Sequence, residues 1–581
     1  MKTSPKSQGR AARPKWSTLA ILSMVSAGGS LHAAEIDVGN DDFKVRLDTT
    51  VRYNVGARAK DCDANICGNG AGAGDISAHQ SDRKFSKKGN IVTNRIDLLP
   101  ELDVIYKEKL GFRVSGAAWF DAAYSNKIRG DSAFDAAPGG AGQGAGPAGS
   151  SYIDYTKRYA RGPSAEFLDA FVFAKFDVGG VPVNVKAGQH NIFWGEALFS
   201  PVNGISVGQG PLDFRKSLAT PGIEAKEVFR PLNQLSFSAD ITDRVTLAGQ
   251  YFLDWKPTIL PDGGTYFGAA DGLNMQGGTS IFGVPFGGVT TKPKSKHGDF
   301  GLALKLRPEW LDGRVGFYYR EYTDKLPQLI INGITVVNGA VAPTQFGLDY
   351  STPRQKLLGV SLNKQVGDMS VGADLTYRKN AQLAAKPFST LAGASNIGYG
   401  AVGNSMLPVG DVVSGVVNAI AYFGKTPVFD SASLQAEVNF SHLNSVKRNG
   451  DSFFAEGYNC PQAQTEGFPY GCATKNSVGI AVAFEPKWFQ VFNGVDISMP
   501  MFLGLGVKGN SVVMFGDNKG QGSYSLGVSA DIDNKHSISL KYNGFLAKHS
   551  KDELGAASNS NASLGKYWDR DWISLTYKTT F

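Results

Sequence analysis

The chain closes on Trp568-Asp569-Arg570-Asp571-Trp572-Ile573-Ser574-Leu575-Thr576-Tyr577-Lys578-Thr579-Thr580-Phe581. Taken in twos, Ile573, Leu575, Tyr577, Thr579 and Phe581 share one face, and Trp572, Ser574, Thr576, Lys578 and Thr580 share the other. A strand has a period of two, so this is one apolar face beside one largely polar face. A soluble sandwich alternates too, but seldom stops on its last core residue. A strand that ends on an aromatic residue resembles the terminal signature of bacterial outer-membrane barrels, where the apolar face meets lipid and the polar face meets the lumen.

The stretch nearest the other end tests that reading. Phe43, Val45, Leu47, Thr49, Val51, Tyr53 and Val55 alternate with Lys44, Arg46, Asp48, Thr50, Arg52 and Asn54. Four charges on one face of one strand suit a wet lumen rather than a dry core. Lys44, Arg46, Asp48 and Arg52 are therefore candidate lumen-wall residues.

Ahead of this strand, Lys2, Lys6, Arg10, Arg13 and Lys15 form a basic start without an acid, followed by a modest apolar stretch from Trp16 to Leu31. Leu31-His32-Ala33 permits cleavage before Ala34, so residues 1–33 read as an export signal. Ser26-Ala27-Gly28-Gly29-Ser30 interrupts the run too early for a membrane-anchoring helix. Without those five basic residues, 54 basic residues face 52 acidic ones, a net charge of +2. That balance offers no argument for a nucleic-acid partner. No later apolar run approaches the roughly 20 residues of a membrane helix. Only helices and closed barrels satisfy their backbone groups in lipid.

The 581 residues, 71 of them glycine, show no clear linker between separate cores, which favours residues 34–581 as one large barrel. Candidate strands after the first are 91–107, 111–124, 165–178, 181–193, 233–241, 243–255, 298–307, 313–325, 352–366 and 368–380. The last third offers 430–443, 475–485, 494–508, 521–532, 535–548 and 568–581. Short and long links alternate, as periplasmic turns and outer loops do. Both 368–380 and 430–443 must run outward, so one inward strand is missing between them, and Val412 to Phe423 can supply it. The expectation is an all-β, antiparallel transmembrane barrel of about 18 strands in the bacterial outer membrane. Its final strand, ending at Phe581, would engage the barrel assembly machinery, and its wall would contact outer-membrane lipid.

The cysteines fall in two outer loops, Cys62 with Cys67 and Cys460 with Cys472, which in an exported chain suggests two local disulfides. No histidine is interleaved with either pair, so neither reads as a metal site, and nothing calls for a cofactor. Gly204-Ile205-Ser206-Val207-Gly208 matches a nucleophile-elbow pattern, but it lies in a long loop of a glycine-rich chain. An outer-membrane esterase would rest on Ser206 alone. The glycine run 139–146 imitates a phosphate loop without the Lys-Ser/Thr pair that must follow.

The third outer loop, 194–232, carries the densest chemistry. Asp213, Arg215, Lys216, Glu224, Lys226, Glu227 and Arg230 mix charges of both signs with large apolar residues. Folded into the lumen, this loop would be a constriction or hatch; the bland alternative is a solvated surface loop. Trp194, Trp255, Tyr266 and Phe267 are aromatics expected to be exposed beside Gly and Pro, either as an apolar entry site or as an interfacial girdle.

Residues 188–196, 211–232, 251–272, 426–440 and 569–581 resemble a family of Gram-negative exported proteins catalogued as domain of unknown function 1302. Pro221-Gly222-Ile223-Glu224-Ala225-Lys226-Glu227 and Asp430-Ser431-Ala432-Ser433-Leu434-Gln435-Ala436-Glu437-Val438 are the most specific pieces. The resemblance implies an outer-membrane protein that accompanies machinery for hydrophobic compounds, and names neither substrate nor catalytic residue. The reading is a non-enzymatic channel for small hydrophobic or amphipathic molecules. Its rivals are a general diffusion porin for polar solutes and, further off, an esterase or adhesin.

Overall fold

The computed structural model describes residues 34–63, 84–124, 152, 154–221, 223–268, 279–281, 284–293, 295–337, 340–384, 407–458, 472–547 and 567–581. The expected export signal lies outside these residues, as do Cys67 and Cys460.

Eighteen antiparallel strands form the wall. The first six are β1 (Phe43–Arg58), β2 (Ile91–Tyr106), β3 (Leu110–Asp121), β4 (Ser164–Val178), β5 (Val181–His190) and β6 (Leu232–Thr242). Next come β7 (Val245–Phe252), β8 (Phe300–Leu306), β9 (Gly313–Tyr322), β10 (Gln355–Val366), β11 (Met369–Gln382) and β12 (Val409–Phe423). The series ends with β13 (Ser431–Arg448), β14 (Asn476–Phe492), β15 (Val495–Ser498 and Met501–Lys508), β16 (Gln521–Ile532), β17 (His536–Ala547) and β18 (Trp572–Thr580). The ladder closes where β1 pairs with β18, from Thr50 opposite Thr580 to Arg58 opposite Trp572. The strand inferred at Val412 to Phe423 from parity is β12. Closure leaves no long unpaired edge, and that is what lets a sheet cross lipid.

The alternation of side chains follows the expected sense. Ile573 and Leu575 of β18 are exposed on the outside, whereas Trp572, Ser574 and Thr576 are buried on the inside. Leu302, Leu358, Leu375, Val417, Val438, Leu526 and Leu540 continue the exposed apolar belt around the barrel. An apolar surface this extensive belongs in lipid, so the barrel sits in the outer membrane.

Three features differ from the sequence expectation. β15 is split at Met499-Pro500, because Pro500 has no N–H for the ladder. Residues 279–291 and 328–349, expected as plain loop, form a four-stranded sheet joined by a parallel pairing of Gly287–Thr291 with Gln345–Asp349. Ala34–Ile36 adds a short strand on β1, with Ala34 opposite Leu47 and Ile36 opposite Val45.

Candidate functional site

The loop between β5 and β6 crosses the lumen. Its local structure explains the density of charge read from the sequence. Asp213 caps the helix Phe214–Ala219, accepting from the backbone N–H of Arg215 (3.0 Å) and Lys216 (3.2 Å). Glu224 opens the helix Ala225–Val228 in a capping box with Glu227, whose Oε1 accepts from the Glu224 N–H at 3.1 Å. Leu212 and Phe229 bridge, so the stretch from 211 to 230 returns to where it began.

Side chains of the wall hold this hatch from many sides. Arg52 of β1 donates both Nη groups to Glu227, each at 2.9 Å, and both side chains are almost fully buried. Lys578 of β18 binds Glu224 at 2.5 Å, Lys226 binds Glu101 of β2 at 2.7 Å, and Lys216 pairs with Glu166 of β4. Across the lumen, Glu437 of β13 accepts from the N–H groups of Leu198, Phe199 and Ser200. Asp374 of β11 accepts from Glu196 and Ile205, and Arg320 of β9 donates to the carbonyls of Ile205 and Val207. Gly208 lies at φ 70 against the Tyr322 ring, where a side chain would collide with that ring. The hatch is therefore fixed by wall residues on opposite sides of the barrel.

The remaining members of the predicted constriction have a different job. Arg215 pairs with Asp213 at 2.8 Å and lies 3.8 Å over the ring of Tyr159, which belongs to an inner segment preceding β4. Arg230 donates to the carbonyl of Pro257 at 2.8 Å, in the loop after β7. Both arginines bind neighbouring loops rather than the wall.

Among the predicted wall residues, Arg52 is the one that binds this loop, through Glu227. Lys44 lies at the exposed rim, 2.6 Å from Glu108 in the β2–β3 turn. Arg46 is exposed and Asp48 half-buried on the same face.

The aromatics depart from expectation, because all four are buried rather than exposed. Trp194 packs with Ile205, Ala248, Ala303 and Tyr318. Trp255 packs with Ile259, Leu348 and Tyr350 and donates to the carbonyl of Asp324. Tyr266 and Phe267 join Phe85, Tyr124, Tyr152, Phe545, Tyr567 and Trp572. The residues around 255–267 fold inward over the barrel, so their rings meet other loops instead of solvent. Arg58 and Arg570 both lie over the Tyr266 ring, at 5.6 and 5.2 Å. Phe267 borders a space of about 50 Å³ shared with Trp119, Tyr124, Tyr159, Arg95 and Lys216, where the wall, the hatch and two inner loops converge.

Sequence reasoning missed the acceptors on the wall: Glu101, Glu166, Asp374 and Glu437. Asp374 and Glu437 carried a usable signal, since each is a carboxylate midway along the polar face of a strand. Gly204–Gly208 forms consecutive turns inside the hatch, without the strand–turn–helix setting that a nucleophile elbow needs. No group of three or more His, Cys, Asp or Glu residues suited to a metal occurs among the described residues.

Charge sets the acid response of the hatch. Burial alone raises the Glu224 pKa, but hydrogen bonds from Lys578 and Lys226, with their charges, hold it at about 2. Burial likewise opposes ionisation of Asp213, yet Arg215, with Lys216 and Arg230 behind it, holds its pKa at about 2. A depressed carboxylate stabilises the folded arrangement above its ordinary pKa, and that contribution is lost as pH falls towards the depressed value. The hatch therefore stays anchored at pH 5 and loosens between about pH 4 and 2. Stepwise acidification with limited proteolysis checks this, and cleavage of the hatch already appearing at pH 5 would contradict it.

The chain is thus a closed barrel whose interior is crossed by the loop between β5 and β6. Solved outer-membrane proteins are similar to this chain at low identity. Pseudomonas aeruginosa OccK9 (OpdG) is 10% identical, with 92% of this chain and 98% of that one covered and a TM-score of 0.38. A BenF-like porin from Pseudomonas fluorescens Pf-5 is 10% identical, with 93% and 98% covered and a TM-score of 0.40. The outer-membrane channel DcaP of Acinetobacter baumannii is 9% identical, with 95% and 100% covered and a TM-score of 0.34. No curated protein matches the sequence. The profile described as "Protein of unknown function (DUF1302)" spans residues 16–581, and the chain belongs to that family.

Proposed function

We propose that this barrel is a channel passing small hydrophobic or amphipathic molecules, with residues 194–232 as the hatch that narrows its lumen. The observation that carries the reading is the bridging of the lumen: Arg52, Lys578 and Glu101 hold the hatch on one side and Glu437 and Asp374 hold it on the other. An open size-selecting pore has no use for so many buried anchors. Aromatic rings beside paired cations, as at Trp119 with Arg95 and Lys216, suit a solute with both an apolar body and a polar group. Lys44, Arg46, Asp48 and Arg52 serve as lumen wall in this reading, and Asp213, Arg215, Lys216, Glu224, Lys226, Glu227 and Arg230 as constriction.

Residues 1–33 act as a removable export signal, and residues 34–581 form one barrel unit. Cys62–Cys67 and Cys460–Cys472 close two outer loops as local disulfides, which the intact mass of the non-reduced chain reads.

Proteoliposome swelling tests the solute class. Among solutes of matched size, amphipathic ones are expected to enter faster than sugars. Entry rates ordered by size alone would replace this reading with a general diffusion porin.

A further inference from the structure

Resting on the channel reading, we propose that solutes pass between the hatch and the wall formed by β14 to β17, and that Lys541 selects small acids with an apolar body along this passage. Burial inside the barrel is uneven. The inner faces of β1, β11 and β13 are covered where the hatch lies on them, at Arg52, Asp374, Glu437 and Asn439. The inner faces of β16 and β17 stay half-exposed at Ser525, Ser529, Ser539, Lys541 and Asn543. Water therefore reaches the lumen along this second sector.

Lys541 points inward, because its neighbour Leu540 is 53% exposed on the lipid side and side chains alternate along a strand. It stands opposite Gly527 on β16 and Ser574 on β18. Its companions on the same face, Ser539 and Asn543, are uncharged. A Cβ on Gly527 would sit 2.6 Å from Lys541 Cγ, so the glycine makes room for the lysine stem.

The cations that fix the hatch, Arg52, Lys216, Lys226 and Lys578, are each paired with a glutamate. Lys541 has no ion pair and no hydrogen bond among the described residues. Glu485 of β14 pairs with Lys487 at 3.4 Å, and its charge also acts on Lys541 without a direct contact. Asp517, in the loop joining β15 to β16, lies against Gly479 of β14. In that loop Phe515 stacks on Phe214 of the hatch, ring centroids 4.8 Å apart, with both rings half-buried. This is an apolar contact between hatch and wall-borne loop, beside the outer end of the proposed passage. A cation without a direct partner on a low-dielectric wall concentrates anions, and the ring pair receives an apolar body.

The test is the reversal potential across a salt gradient in planar bilayers. Lys541→Arg is expected to keep the unsubstituted value, Lys541→Gln to move it towards cation preference, and Lys541→Glu to move it further. Currents of normal size with an unmoved reversal potential in Gln and Glu variants overturn the assignment. If no barrel conducts, the channel reading fails, and the passage is then read by labelling folded Lys541→Cys with a membrane-impermeant anionic thiol reagent. Modification above that of the unsubstituted chain upholds the passage, and protection overturns it.

Discussion

Deletion of residues 211–230 is expected to raise single-channel conductance several-fold and to leave a folded barrel. Two structural facts make the cut clean. The Arg230 N–H donates to the carbonyl of Pro211 at 2.9 Å, so the flanks of the excised stretch already lie side by side. The wall closes through β1 and β18 without any backbone from the hatch. What the deletion removes is matter in the lumen, together with the carboxylates that Arg52 and Lys578 now hold and the lysine that Glu166 holds. A barrel of this strand number leaves an aqueous channel when nothing fills it. Planar-bilayer recording gives the answer, with slower gel migration after boiling as the sign of a folded barrel. Unchanged conductance from a folded deletion variant would mean that the stretch obstructs nothing.

The second large effect is expected at Arg52. Its two-pronged bond to Glu227 is buried, and Asp97 lies 3.5 Å away on the neighbouring strand. Arg52→Ala leaves Glu227 without its cation, whereas Asp97 keeps Arg95 at 2.8 Å, and breaking a buried pair from one side costs about 3–5 kcal/mol. That shifts the balance between seated and released hatch by roughly a hundredfold or more. The expected record is a noisy, frequently opening channel, with trypsin gaining access to Lys216 and Lys226. Replacing both partners by apolar groups of similar size removes the stranded charge, so Arg52→Met with Glu227→Leu returns most of the quiet behaviour. Lys578→Ala has a smaller effect, because that pair is about one-third exposed. A quiet, protease-resistant Arg52→Ala channel would show that Arg52 does not hold the hatch.

Much of the wall was legible because a half-buried strand writes its two faces into alternate residues. Alternation at Phe43–Val55 marked β1, and the alternation of short and long links located β12 even though its own sequence, Val409 to Phe423, is mostly apolar. The inward-folded loop was legible as a charged, cappable stretch, since Asp213 and Glu224 stand where helix starts need acceptors. Its anchors were not, because the partners of Glu227 and Glu224, at Arg52 and Lys578, lie 175 and 354 residues away. Pairings of that span leave no local periodicity. The aromatics at 255–267 were misjudged for a related reason. A ring beside glycine and proline looks exposed until another loop folds onto it, and the loops covering Tyr266 and Phe267 come from both ends of the chain. Residues 328–349 misled in the opposite direction. They pair with residues 287–291 from a different loop, a partnership that neither segment announces alone.

The three residues Ala34–Ile36 take on a protective role once the seam of the barrel is considered. The C-terminal strand and Phe581 after it pair with β1 only as far as Thr49, yet β1 begins at Phe43. Between them, the side of β1 that faced β18 would offer bare N–H and C=O groups, a docking rail for a strand from another molecule. Ala34–Ile36 occupies that rail opposite Val45–Leu47. Ala34–Ile36 thus covers a stretch of strand edge that would otherwise be open to pairing with another chain.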